Sequence, residues 1–394
     1  MKCLAVTLMN YAVLAMCASS SPWSGSVGME WRGFKEESLD PQQHRRYASI
    51  VTEFEYYTEW DEGRQQLTLS PFARIDQHDK ERTHVDLREL NWLYVADTWE
   101  VRVGVSKVFW GVTESQHLVD IINQTDLVEN PDGEDKLGQP MLQLSLIHEW
   151  NVLELFLLPG FRERIFPSVG GRPRFSLPVA HSEAEYESSR EEKHVDAATR
   201  WSLTRGDWDI GLAYFHGTSR EPRLLPRTDG TTPELVPFYD IIHQTSVDVQ
   251  TVKGNWLWKV EWLNRWGQED RFMAWTAGFE YTWVGLFGTS LDLGLLAEHL
   301  YDDRGSEATT PFQDDLMMGA RLVLNDVGTT EALVSVIRDR HSDSEIYKIE
   351  ASRRIGDHFK VNLESSIIRK TNLGDLLHDW REDDYVQFSV GYYF

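Results

Sequence analysis

Cysteine is nearly absent from this 394-residue chain: only Cys3 and Cys17 occur, both close to the start. Beyond them there is no disulfide frame, no thiolate metal site and no cysteine nucleophile. Positive charge is scarce as well. Lys and Arg number 39 against 63 Asp and Glu, a net charge of -24, which argues against nucleic acid as a partner. Long apolar runs are missing after the first residues, so no transmembrane helix is expected. HExxH, phosphate-loop and calcium-loop motifs are missing too. His84, His148, His194, His216, His243, His299 and His358 are scattered, without a Ser-His spacing that suggests a nucleophile and its base. The chain is therefore read as a non-enzyme that uses no cofactor and no metal.

Two features are abundant. Lys2 is followed by an apolar stretch from Leu4 to Met16 and by small residues at Cys17, Ala18, Ser19 and Ser20. This is the form of a cleaved secretory signal peptide over residues 1–20, and it leaves 21–394 as the mature chain. Aromatic residues are the second, with 16 Trp, 14 Tyr and 17 Phe, although 26% of residues are charged. Such a mixture fits a sheet with one apolar and one wet face.

Alternation places those faces. "IVTEFEYYTEW" sets Ile50, Thr52, Phe54, Tyr56 and Trp60 against Glu53, Glu55 and Glu59, and "NWLWKVEWLNR" sets Trp256, Trp258, Val260 and Trp262 against Lys259 and Glu261. A helix would mix these faces; a strand separates them. Such segments begin near Ser26, Tyr47, Gln65, His84, Trp99, Pro140, Asn151, His194, Asp207, Ile241, Asn255, Phe272, Ser290, Asp315, Thr330, Ser344, Asp357 and Asp384. Each has roughly the length of a tilted bilayer-crossing strand.

Connections between them alternate in length. "DEGR", "ADT", "RGD", "KGN", "NDVG" and "RIGD" are tiny; Lys35–Arg46, Gly111–Gly138, Pro159–Lys193, Gly217–Asp240, Asp303–Gln313 and Arg369–Asp383 are longer. Short turns on one rim and long loops on the other are the pattern of an outer-membrane barrel. The expected fold is an all-β transmembrane antiparallel barrel of about 18 strands with both termini periplasmic. Trp31, Trp60, Trp92, Trp99, Trp150, Trp208, Trp256, Trp283, Tyr301 and Tyr392 suit its aromatic girdles.

The final segment, "DDYVQFSVGYYF", alternates without a break through Val386, Phe388, Val390, Tyr392 and Phe394. A last strand that closes the barrel against the first removes both edges. It resembles the terminal signal by which outer-membrane β-proteins are recognised by the barrel-assembly machinery.

Several stretches resemble a family of uncharacterised Gram-negative outer-membrane proteins of porin-like type. They include "DLRELNWLYV", "VRVGVSKVFWGVTESQHLVDIINQTDLVE", "ELFLLPGFRERIFP", "YDIIHQTSVDVQTVKGNWLWKVEW", "AGFEYTW", "LDLGLLAEHLYDDRG" and "LNDVGTTEALVSVIRD". The architectural relatives this implies are the alginate-export and substrate-specific porin barrels. The resemblance implies a fold and a porin-like passage, not a solute.

Within such a barrel the inward rows carry both charge signs. The candidate pore-lining set is Arg102, Arg200, Lys259, Glu261, Glu280, Glu298, Arg321, Glu350, Arg354 and Glu364. These either balance one another around water or select solutes by charge. Loop Gly111–Gly138 is a candidate constriction, with Glu114, Asp120, Asn123 and Asp126 at its narrow point, and its acidity predicts a preference for cations. Arg162, Arg164, Arg172 and Arg174 in the next loop have three possible partners: an anionic solute, lipopolysaccharide, or the acidic stretch Glu183–Glu192. The function expected is passive passage or export of a polar solute, small or polymeric. A structural or adhesive barrel without transport is the alternative, and a lipid hydrolase a third.

Overall fold

A computed structural model describes residues 22–228 and 233–394. The segment read as an export signal lies outside the described residues. The strands are β1 (Trp23–Phe34), β2 (Arg46–Trp60), β3 (Gln65–Asp76), β4 (His84–Val95), β5 (Trp99–Ser106), β6 (Gln139–Ile147), β7 (Asn151–Pro159), β8 (Glu185–Tyr186), β9 (Val195–Arg205), β10 (Trp208–Thr218), β11 (Arg223–Arg227), β12 (Glu234–Tyr239), β13 (Ile241–Lys253), β14 (Trp256–Gly267), β15 (Glu269–Trp283), β16 (Asp292–Asp302), β17 (Asp314–Val323), β18 (Glu331–Asp339), β19 (Glu345–Ile355), β20 (Phe359–Arg369) and β21 (Tyr385–Tyr393).

Eighteen of these form one sheet, each antiparallel to its neighbours, and β21 pairs with β1 to close it. Closure leaves no edge, so the wall's backbone groups pair within the sheet, with side chains taking over at some strand ends, as where Asp384 accepts from Ile368 N and Asp196 from Thr218 N. The seam runs from Ser26 opposite Tyr393 to Phe34 opposite Tyr385. Beyond it, Gly25 and Phe394 exchange two backbone hydrogen bonds of 3.1 Å, and the Phe394 ring meets Phe54 at 5.9 Å. Val386, Phe388, Tyr392 and Phe394 all present exposed side chains on the outer wall.

One rim has short turns. The hairpins at Gly206 (φ 65°) and Gly254 (φ 64°) need a positive φ, which glycine adopts without a Cβ clash. The other rim carries the long loops, although Gln268 alone joins β14 to β15 and only residues 340–344 join β18 to β19. β8, β11 and β12 are drawn from two of these loops and form a separate three-stranded sheet.

Outward-facing residues are large, apolar and exposed: Met29, Ile50, Ile75, Val85, Val103, Leu142, Leu157 and Leu212 among them. In water such a continuous surface would aggregate; against hydrocarbon it is the stable arrangement. Trp60, Trp99, Trp208, Trp256 and Trp283 are exposed at the short-turn ends of their strands, and Trp150 in the turn before β7. That ring is an aromatic girdle, where an amphipathic ring sits between hydrocarbon and headgroups.

Candidate functional site

The inner wall differs between its halves. Towards the long loops its residues are buried, as at Phe156, Leu158, Phe215, Ile242, Leu300 and Ile337. What buries the first four is the segment between β5 and β6, residues 107–138. It turns into the barrel and packs Trp110, Val119, Ile121 and Ile122 on Met141, Phe156, Leu158, Ala198, Ala213, Phe215 and Ile242. Trp110 meets Phe156 edge-on at 5.8 Å. An apolar stripe on the loop thus matches an apolar patch on the inside of β6, β7, β9, β10 and β13, and burying both is the main gain on docking.

Two wall carboxylates hold the other side of the loop. Glu261, fully buried on β14, accepts from Val112 N (2.6 Å), Thr113 N (2.8 Å), Thr113 Oγ1 (2.7 Å) and Val119 N (3.1 Å). Glu298 on β16 accepts from Glu114 N (2.8 Å), Ser115 N (2.9 Å) and Ser115 Oγ (2.6 Å). The loop backbone lacks a ladder partner here, and the wall's carboxyl oxygens supply the acceptors that buried N–H groups require.

Charged contacts follow along the same crossing. Glu114 bridges Arg321 on β17 (2.7 Å) and Lys259 on β14 (3.6 Å), and Arg321 also faces Glu280 on β15 at 3.6 Å. Burial pushes the Glu114 carboxyl up, but Arg321 and Lys259 outweigh it and hold the group below its ordinary range. His117 donates towards Glu134 at 3.0 Å and stands 3.8 Å from Glu261. Burial favours its neutral form, yet these two carboxylates win and hold its pKa well above 6.5. Loss of solvation, opposed by Lys348 and aided by Glu364 and Glu134, pushes the half-buried Asp132 up to about 8. Asn130 reaches Glu364 on β20 at 3.3 Å. The loop therefore spans the lumen from the β6–β13 wall to β14–β17 and β20.

All ten candidate lining residues stand on the inward face, but they do not form one open ladder. Lys259, Glu280 and Arg321 are brought together around Glu114. Glu261 and Glu298 are spent on the loop backbone. Arg200 is buried in a two-point bridge to Asp248 (2.6 and 2.9 Å) beside the Trp110 ring. Arg102 contacts Gln143 at 3.4 Å, and Glu364 bonds the Tyr385 hydroxyl and Gln387. Glu350 is exposed and Arg354 half-buried, so the short-turn half of the lumen is wet there.

Of the expected constriction residues, Glu114 faces the charged cluster and the other three face inward to the protein. Asp120 accepts from Trp110 N (2.6 Å) and Gly111 N (3.0 Å). Asn123 accepts from Val108 N and donates to the carbonyls of Ser106 and Leu137, each at 2.8 Å. Asp126 is fully buried beside Arg88 at 2.7 Å. Asp120 and Asn123 fix the loop's own shape, because short polar side chains satisfy nearby backbone better than open water can in a confined turn, while Asp126 ties the loop to β4.

The basic loop also differs from one of its expected pairings. Among the described residues, none of its four arginines bridges Glu183–Glu192. Arg162 pairs with Asp86, Arg172 with Asp383 and Arg174 with Asp40, while Arg164 donates to Gln124 and the Arg220 carbonyl. The loop lies across the barrel mouth, so its cations meet carboxylates of other loops and the wall before their sequence neighbours.

This is the architecture of Gram-negative outer-membrane porins: a closed barrel of eighteen antiparallel strands, lipid-facing outside, with a long loop folded into its lumen. Solved structures agree. Wzi of Escherichia coli, described as an outer-membrane protein involved in group 1 capsule assembly and a carbohydrate-binding β-barrel, superposes with a TM-score of 0.55 at 6% identity, covering 95% of this chain and 84% of that one. OccK8 (OprE) of Pseudomonas aeruginosa gives 0.54 at 11% identity over 94% and 97% of the two chains. A BenF-like porin of Pseudomonas fluorescens Pf-5 gives 0.52 at 10% over 94% and 97%. At these identities the likeness is one of fold. No protein-family model and no curated protein matches the sequence.

Proposed function

We propose that the chain is a non-enzymatic outer-membrane channel through which a polar solute passes along a charge-lined lumen, restricted by the 107–138 loop. The observation that carries this reading is the loop's seat on Glu261 and Glu298, which places a removable barrier inside a closed wall. The long loops face outward, and the short turns and both termini face the periplasm, after export and removal of residues 1–20. Assembly runs through the barrel-assembly machinery, which reads Val386, Phe388, Val390, Tyr392 and Phe394, and lipopolysaccharide and other outer-membrane lipids surround the wall. Arg102, Arg200, Lys259, Glu261, Glu280, Glu298, Arg321, Glu350, Arg354 and Glu364 form the inward charge system.

The cation preference expected from the loop's acidity is weakened on this reading, because Glu114, Asp126 and Glu129 each stand beside an arginine. Planar-bilayer recording tests the channel. Deletion of 112–135 should raise unit conductance several-fold over the intact protein. A deletion variant that assembles but stays closed rejects the channel.

A second reading is a glycan-binding barrel without transport, as Wzi is described to be carbohydrate-binding. The buried long-loop half of the lumen supports it. Saturable binding of an acidic polysaccharide by a non-conducting protein decides for it.

A further inference from the structure

At the junction of the inserted loop with the wall, three potential ligands from two elements converge: His84 on β4, and Asp126 and Glu129 on one loop turn. The turn is closed by Glu129 N bonding the Asp126 carbonyl (3.2 Å), and a three-residue spacing on such a turn brings both carboxylates to one side. Asp126 is fully buried, Glu129 nearly so, and the His84 side chain is 13% exposed.

His84 has an unusual electrostatic position. Its Nδ1 lies 3.3 Å from the Arg82 carbonyl, which can only accept, so Nδ1 carries the proton. That leaves Nε2 directed at Asp126 Oδ2 (3.9 Å) and Glu129 Oε1 (3.6 Å). Nε2 makes no hydrogen bond, and Asp126 Oδ1 has no partner. A bare lone pair facing two carboxylates is repulsive, and the separations are too long for an N–H···O bond. They are close to the ~3.4 Å between two ligands that each lie about 2.1 Å from one tetrahedral ion. The Nδ1–H···O=C contact is also how metal-bound imidazoles are commonly oriented.

Neighbouring arginines do not fill this gap. Arg74 bonds both Glu129 oxygens at 2.9 Å, and Arg88 faces Asp126 Oδ2 at 2.7 Å. A carboxylate oxygen has a second lone pair, and ligating carboxylates are usually hydrogen-bonded from behind.

We propose that His84 Nε2, Asp126 and Glu129 bind a divalent transition-metal ion of the zinc class, with water completing the shell, and that this ion fastens the inserted loop to β4. One imidazole with two carboxylates suits zinc, cobalt or nickel better than calcium or magnesium. The site stands independently of whether the lumen conducts.

The test uses the full-length protein in detergent, stripped with chelator and dialysed against Zn²⁺ alone, with metal counted by mass spectrometry. One ion per chain is expected for the wild type and for His299→Ala, a histidine change elsewhere on the wall. His84→Ala and Asp126→Asn should retain at least tenfold less. Heat-modifiable migration verifies that each variant is folded. Hydrogen exchange of residues 124–131 in the unmodified protein, with Zn²⁺ and with chelator, gives a readout free of mutation, and Zn²⁺ should slow it at least tenfold. No retained zinc, retention equal in wild type and His84→Ala, or exchange indifferent to zinc would each overturn the proposal.

Discussion

Glu261 is the single side chain on which the inserted loop most depends. It is fully buried and accepts four hydrogen bonds from Val112, Thr113 and Val119. Hydrogen bonds to a charged group contribute roughly 1.5–3 kcal/mol each, and buried donors left without an acceptor cost about 1–3 kcal/mol. Four such terms on one acceptor are not additive, and water can enter from the wet half of the lumen. A loss of about 3–5 kcal/mol is therefore expected for Glu261→Ala, which shifts loop docking by about two to four powers of ten. Glu261→Gln keeps one acceptor oxygen but turns an amide NH2, itself a donor, towards a donor, and should fall between. Hydrogen exchange resolves the effect: amides 112–119 should exchange at least a hundredfold faster in Glu261→Ala, while the β14 and β15 amides stay protected. Exchange at 112–119 that remains at the wild-type rate in a folded Glu261→Ala barrel would refute the latch.

Three further outcomes are expected. His117 has a folded-state pKa above its ordinary 6.5, so its contribution to docking is complete below 6.5 and is lost as pH rises through the raised value; loop exchange should accelerate at alkaline pH in the wild type and much less in His117→Gln. Arg321→Gln removes a cation facing Glu114 and Glu280, leaving Lys259 on Glu114, and reversal potentials across a salt gradient should shift towards cations, more at low salt than at high. Deleting Phe394 removes two backbone bonds at the seam and the contact with Phe54, and the amount of heat-modifiable protein in the outer membrane should fall at least fivefold.

The wall was legible in the sequence because its signal has the same period as its structure. Every segment start read from alternation falls within about three residues of a strand start, and Gln65, His84, Trp99, Asn151 and Ile241 coincide with one. Two-period patterning survives in a barrel because each face has a different solvent along the whole strand. The lumen was harder to read. On β7, Leu153, Leu155 and Leu157 face out, but Phe156 and Leu158 are apolar and face in. Apolar residues on both faces at the long-loop end of a strand were the available sign that something packs inside. The partners of the inserted loop leave no such sign: Glu261 lies about 150 positions from Thr113, and nothing local distinguishes a carboxylate that will accept backbone N–H groups from one that will meet water. The His84 cluster was invisible for the same reason, since 42 positions separate His84 from Asp126 and short-spacing motifs cannot report it.

The two kinds of contact that hold the loop have different consequences for how it opens. The apolar seat against β6–β13 is insensitive to pH and charge, and its loss would expose Trp110, Ile121 and Ile122 to a wet lumen. The polar seat on Glu261, Glu298, Lys259 and Arg321 consists of hydrogen bonds and ion pairs that water can replace one by one. If the loop opens, the β14–β17 side is therefore expected to release first, with the apolar side as the hinge. Such a motion would uncover the part of the inner wall that carries Lys259, Glu280 and Arg321, near the short-turn rim.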